Sequence, residues 1–256
     1  MLEQLKKMRK LLLKISSIGK DGNLQSCFSS LEILWTLYDK FIPLNASVLN
    51  GNKFVLSKGQ SNLALLVVLS EKNIIEQSEL LSFCKFDSRI SMQADRTKFN
   101  GEIEVSAGSL GHGLPIAVGL AWAKKIKGEN GKIFCLVGDG ELNEGTIWES
   151  LLFASSEKLN NLVVIVDNNH SVGRMIDFGN IEDKLNAFGM HCINVNGHDV
   201  NALFSAFDTN CDKPVAVIAE TQRGWGSKTL MEDRSWFHRF PTSDELISLY
   251  DEVDKF

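Results

Sequence analysis

Apolar positions along this chain follow two patterns that alternate with each other. Short continuous runs occupy 53–56, 133–137, 162–166, 191–195 and 215–219. Runs of this length, bounded by glycine or polar residues, suit strands buried on both faces. Between them lie longer stretches with helical spacing. One is 28–41, with Leu31, Leu34, Trp35 and Tyr38 apolar and Pro43 just beyond; others are 62–69, 115–126, 181–189 and 243–253. The stretch 144–158 places Ile147, Leu151, Leu152 and Ala154 on one side, and further helices are expected from Ser78 and after Asp199, the latter as an N-cap. At the start, Leu2, Leu5, Met8, Leu12 and Ile15 form a stripe against Lys6, Lys7, Arg9, Lys10 and Lys14. A packed helix with a solvated basic face accounts for that stripe better than a membrane-surface helix. Polar loops are expected at 19–26, 87–101 and 224–240. The alternation predicts an α/β fold, a doubly wound parallel sheet of at least five strands flanked by helices, as a single domain over 1–256.

Composition adds exclusions rather than detail. The chain has 256 residues, enough for one full core. A net charge of −5 makes no case for nucleic acid or an anionic membrane as partner. The five cysteines are scattered, with no C-x-x-C, so neither a disulfide framework nor a zinc site is indicated and a cytoplasmic setting is expected. No apolar run reaches membrane-spanning length, and Leu11 to Leu13 is too short for a signal peptide.

Candidate chemistry concentrates in 133–170. The strand 133–137 runs into Gly138-Asp139-Gly140, a helix follows, and the strand 162–166 ends in Asp167-Asn168-Asn169. Oxygen-bearing side chains thus stand at the carboxyl ends of two strands, the edge at which open α/β sheets bind ligands. The Asp139 carboxylate and the Asn169 amide oxygen are hard ligands, suited to Mg²⁺ or Ca²⁺ rather than zinc. Mg²⁺ is seldom caged by protein alone and usually bridges to phosphate, which the backbone around Gly138 and Gly140 can approach closely. Gly-Asp-Gly by itself would be no more than a tight turn; the pair of motifs, with a helix between them, points to a metal–diphosphate site. A second glycine-bearing stretch, Ser106 to Leu114, precedes the helix at 115–126 and suits close backbone approach to an anion, although helix packing would also explain Gly111 and Gly113. His112 reads as structural.

The series G-D-G, E-G, then a strand ending in D-x-N about thirty residues on resembles the thiamine-diphosphate signature. Gly145 and Trp148-Glu149, within G-D-G-E-L-N-E-G-T-I-W-E-S, narrow the resemblance to transketolases, and to their diphosphate-binding half only. The resemblance implies thiamine diphosphate with Mg²⁺ (or Ca²⁺). The cation would be held by Asp139, Asn169 and the Ser171 carbonyl. Gly108, Ser109 and Leu110 would run along the cofactor beside Gly138 and Gly140. Glu144 would lie at a subunit interface and couple cofactor sites; as a plain residue it is an acid at a helix start, favoured by the helix dipole, and both readings can hold. His238, in Trp236-Phe237-His238-Arg239-Phe240-Pro241, matches a family histidine that contacts cofactor and substrate. The family's activating glutamate belongs to a separate pyrimidine-binding domain. The chain is therefore expected to be inert alone and to work with a C-terminal, pyrimidine-binding subunit, in a dimer of heterodimers on a sugar or keto-acid substrate.

Departures from the family pattern are equally informative. Histidines found in the family are absent where this chain has Gly22-Asn23-Leu24, Gly59-Gln60 and Met92-Gln93-Ala94-Asp95. Cofactor anchoring looks intact while the substrate chamber is rebuilt. That leaves open an altered donor or acceptor, a pyruvate-using acetyl transferase on a modified sugar, or a regulatory or scaffold subunit that binds cofactor without turnover. A different Mg²⁺-nucleotide has no P-loop or strand-borne G-x-G-x-x-G to support it.

Overall fold

The computed structural model describes residues 1–42, 51–171 and 179–256; Pro43 lies outside them. In chain order the main elements are α1 (Leu2–Gly19), α2 (Leu24–Thr36), β1 (Lys53–Leu56), α3 (Asn62–Glu71), α4 (Gly113–Lys127), β2 (Ile133–Gly138) and α5 (Gly145–Ser156). They continue with β3 (Leu162–Asn168), α6 (Ile181–Ala187), β4 (His191–Asn196), α7 (Val200–Asp208), β5 (Val215–Glu220), α8 (Lys228–Glu232) and α9 (Ser243–Lys255). The five strands form one parallel sheet in the order β1-β2-β3-β5-β4. Among the described residues no helix is long and apolar enough to cross a membrane.

The apolar runs are continuous because the sheet is covered on both faces. Successive side chains of a strand point to opposite sides. Phe134, Leu136, Val163, Ile165, Val215, Val217 and Ala219 enter one core, shared with α1, α2, α3, α7 and α9. Ile133, Cys135, Val137, Leu162, Val164, Val166, Ala216 and Ile218 enter the other, shared with α4, α5 and α6. Helices on both faces make the sheet doubly wound. Register then brings the functional ends level: Gly138 lies opposite Asp167, and Asn168 opposite Glu220.

Several boundaries differ from the pattern. The stretch 19–26 is only partly loop: α2 begins at Leu24, and Gln25 and Ser26 are buried within it. Long-range partners hold them there: the Gln25 NH₂ donates to the carbonyls of Leu230 (2.6 Å) and Asp233 (3.1 Å), and the Ser26 carbonyl accepts from Ser61 Oγ (3.2 Å). The α-helix stops at Thr36, and a wider π-helical turn carries it to Phe41. The helix expected from Ser78 is a 3₁₀ turn, Gln77–Ser82, closed by reciprocal bonds between Glu76 and Glu79. The loop 224–240 contains α8, capped by the Ser227 hydroxyl, and a 3₁₀ turn at Arg234–Phe237. On α1, Arg9 leaves the basic face: it is 4% exposed and ion-paired with buried Glu32, while Leu2 is exposed. Asp199 caps α7 as expected, accepting from Asn201 N (2.9 Å) and Ala202 N (3.2 Å).

Candidate active site

The site is assembled at the carboxyl edge of the sheet, where β2 and β3 end side by side. Strand β2 does not pass straight into α5. A 3₁₀ turn, Asp139–Asn143, intervenes, so Asp139 stays buried at the strand end while Glu144 becomes the N-cap residue of α5. The Asp139 carboxylate faces the backbone that leaves β3. Its Oδ1 accepts from Gly140 N (2.8 Å) and from the Ser171 hydroxyl (2.6 Å), and its Oδ2 from Ser171 N (2.7 Å). Asp139 and Ser171 are thus brought together, through the N–H and hydroxyl of Ser171 where its carbonyl was the group expected.

Asn169 is 5% exposed, and its Oδ1 has no hydrogen-bond partner among the described residues. Its amide nitrogen faces the Ser29 hydroxyl at 3.2 Å and Asp167 at 3.5 Å. An orphaned buried amide oxygen costs about 1–3 kcal/mol unless something meets it. A hard cation is such a partner, and the nearby Asp139 carboxylate suits the same ion. The donor set therefore fits Mg²⁺ completed by diphosphate and water. Among the described residues no three His, Cys, Asp or Glu side chains cluster for a metal.

Three further strands of structure converge on this edge, and sequence reasoning had not named their residues as site residues. Lys58, just past β1, is buried and ion-paired with Asp167. Removing one member of a buried pair typically costs about 3–5 kcal/mol. Thr221, just past β5, donates its hydroxyl to Asp167, and its N–H to the Asn168 carbonyl at 3.1 Å. Glu141 is buried in the 3₁₀ turn, and three donors reach its carboxylate: Ser57 Oγ (2.5 Å), Gly111 N (2.8 Å) and Gly138 N (2.9 Å). Burial nonetheless pushes the Glu141 carboxyl above its usual range, against those hydrogen bonds and Lys58. Glu141 ties together the ends of β1 and β2 and the glycine-bearing turn before α4.

That turn carries Gly108, Ser109 and Leu110. Gly108 has φ +150°, and Gly111 has φ +77°. A Cβ at Gly111 would stand 2.6 Å from the Glu144 Cβ and 2.7 Å from the Thr146 hydroxyl, and Thr146 donates to the Gly111 carbonyl at 3.0 Å. The turn therefore packs on half-buried Glu144, bringing two predicted groups of site residues together. The Glu144 side chain makes no capping bond to α5. His112 is exposed, with Nδ1 3.0 Å from the Leu110 carbonyl and 3.2 Å from the Ser109 hydroxyl, so it braces the turn locally. Gly111→Ala should destabilise the chain by about 1–2 kcal/mol through the left-handed backbone alone, with overpacking against Glu144 adding to it. Urea denaturation, read from the transition midpoint, checks this.

His238 is exposed beside its neighbour Phe237, on a strap anchored by buried Trp236. The strap passes over the start of α2: a Cβ at Gly22 would lie 3.1 Å from the Arg239 carbonyl, and the Ser17 hydroxyl donates to Pro241 O (3.0 Å). The structure thus brings the His238 segment to Gly22, next to Asn23 in the chain, and no hydrogen bond or ion pair joins it to Asp139 among the described residues. Asn23 Oδ1 and Gln93 Oε1 are both buried without partners, and Gln93 packs where a Cβ on Gly59 would overlap it. Arg223 is half-buried on the loop after β5; burial and then Arg234 lower its pKa, opposed by Asp139. Lys58, Glu141 and Thr221 carried one sequence signal: polar residues shortly after an apolar run.

A parallel sheet with helices on both faces and polar side chains gathered at the carboxyl ends of its strands defines an α/β domain. The chain belongs to the transketolase family: the model for the transketolase thiamine diphosphate-binding domain matches residues 12–249. It is 32% identical to one of the subunits of the apulose-4-phosphate transketolase of Actinobacillus succinogenes, covering 93% of this chain and 90% of that protein. It is 35% identical to the Homo sapiens transketolase over 88% of this chain, and spans 38% of that protein's length. The crystal structure of the Campylobacter jejuni transketolase superposes on the whole chain with a TM-score of 0.87 at 26% identity, again over 42% of the longer protein.

Proposed function

We propose that residues 1–256 act as the cofactor-binding domain of a thiamine-diphosphate-dependent transketolase-like carboligase, transferring a two-carbon unit to an aldehyde or ketone acceptor. The observation that carries this reading is the buried Asn169 Oδ1, unpartnered among the described residues, with the buried Asp139 carboxylate at the end of the adjacent strand. Asp139, Asn169 and Ser171 would hold Mg²⁺ (or Ca²⁺). The backbone at Gly138 and Gly140, with the turn Gly108 to Leu110, would lie along the diphosphate. When bound, the cofactor supplies the electron sink for the two-carbon unit. Glu144, packed beneath that turn, would pass changes at a subunit boundary to the cofactor. His238, on its strap, would move protons at substrate hydroxyls.

The pyrimidine-binding half of the pocket is proposed to come from a separate C-terminal subunit, in a dimer of heterodimers in the cytoplasm. Support comes from the Actinobacillus succinogenes relative, which is named as one subunit of its enzyme and which this chain covers for 90% of its length. Exposed apolar side chains on α4 and α5 add to it: Ile116, Trp122, Ile126, Leu152 and Phe153 present a surface suited to association. Co-expression with the pyrimidine-binding chain should give a complex that copurifies and has the mass of two pairs by light scattering. A lone monomer that turns over substrate would overturn the two-chain arrangement.

A further inference from the structure

The hydrogen bonds around Asn169 decide which way its amide faces. The Ser29 hydroxyl has one proton and two acceptor positions. Its oxygen lies 2.7 Å from Asp167 Oδ2 and 3.0 Å from the Ser26 carbonyl. The shorter, charge-assisted bond to the carboxylate takes the proton. Lys58 Nζ, 3.2 Å away, can only donate to the hydroxyl. Ser29 therefore has acceptor capacity alone left for Asn169 at 3.2 Å. Asp167, fully buried, is acceptor-only as well, and stands on the same side of the amide at 3.5 Å. Reversing the amide would set its oxygen against a carboxylate oxygen and against a hydroxyl whose proton is committed. The NH₂ group must face Ser29 and Asp167, and the oxygen is driven to the other side, where none of the described residues offers a donor.

From this, and resting on the metal–diphosphate reading above, we infer that Ser29 and Asp167 are positioning residues of the cation site: they lock the Asn169 amide with its oxygen toward the metal. Lys58 neutralises Asp167 so that this carboxylate orients Asn169 without competing for the ion. Thr221 holds the other Asp167 oxygen and does not touch the amide. Groups that orient metal ligands in this way typically change metal affinity by about 10–100-fold when removed.

The test is Mn²⁺ binding to the full chain in complex with thiamine diphosphate and the pyrimidine-binding chain, read from the electron paramagnetic resonance of the free ion. Ser29→Ala should weaken Mn²⁺ about tenfold, and Ser29→Cys, which nearly keeps the volume but accepts weakly, should do the same if the alanine variant does not fold. Thr36→Val removes an equally buried hydroxyl bond on the same helix, to the Glu32 carbonyl at 2.8 Å, and should leave the affinity within about threefold. Unchanged affinity in both Ser29 variants, or an equal loss in Thr36→Val, overturns the orienting role. Asp139→Ala runs alongside: if it too leaves Mn²⁺ binding intact, the metal reading itself falls, and this inference with it.

Discussion

Asp139→Ala should abolish Mg²⁺-dependent thiamine diphosphate binding in the assembled enzyme. The carboxylate is buried at the end of β2 and is the only formal negative charge among the three proposed ligands. Asn169 offers an amide and Ser171 a peptide oxygen, both neutral. Removing Asp139 leaves a dication to be held by neutral groups and the cofactor's own phosphates. The loss should exceed the about 10–100-fold attached to residues that merely orient ligands. Calorimetric titration of cofactor with Mg²⁺ should give no measurable heat at concentrations that saturate the unaltered protein. Asp139 also receives three hydrogen bonds from Gly140 and Ser171. Circular dichroism of the variant should therefore be unchanged in the far ultraviolet before the titration is read. Asp139→Asn, which keeps one acceptor oxygen but no charge, separates charge from shape and should be nearly as weak. Wild-type cofactor affinity in Asp139→Ala would remove the assignment.

What could be read from the chain, and what could not, divides by distance along it. Strands β2 and β3 were legible because burial on both faces writes an unbroken apolar run, and a local motif, Gly138-Asp139-Gly140, follows immediately. Asn169 was named from the same adjacency, and Ser171 only through the family resemblance. The start of α2 was not: Gln25 and Ser26 look like loop residues until their partners at Leu230, Asp233, Lys58 and Ser61 are in place. Arg9 looked solvated for the same reason, since its carboxylate partner Glu32 lies on the next helix. The supports of the site are all of this kind. Ser29 inside α2, Lys58 past β1, Asp167 near the end of β3 and Thr221 past β5 come from four separate elements, and only the tertiary fold brings them together. Glu141 is the intermediate case. Its place two residues after Asp139 was visible, but its role depends on Ser57 and Gly111, from two other segments.

Ordinary sugar phosphates should be poor substrates for the reconstituted pair. At the positions where the family resemblance places histidines, this chain carries amides. Asn23 Oδ1 and Gln93 Oε1 are buried and lack hydrogen-bond partners, and Gln60 follows Gly59 on the neighbouring turn. An amide can donate and accept, but it does not titrate near neutrality, so it fixes a hydroxyl without shuttling its proton. The transketolase pattern has histidines at these positions, and general acid–base help is typically worth about 10²–10⁴ in rate. Replacing several such groups together should lower kcat with xylulose 5-phosphate and ribose 5-phosphate by a factor in that range. A modified acceptor such as a nucleotide-linked keto sugar is one alternative; pyruvate, lacking the ketose C1 hydroxyl, makes no use of a histidine there. A donor–acceptor panel on the two-chain enzyme decides the matter, with cofactor saturation verified first so that weak binding is not read as slow chemistry. Turnover of the ordinary pair within tenfold of about 10 s⁻¹, a usual enzymatic value, would show that amides replaced imidazoles without changing the substrate. Asn23→His and Gln93→His carry the same argument in reverse: if the amides set specificity, the double variant should gain on xylulose 5-phosphate while losing on the preferred donor.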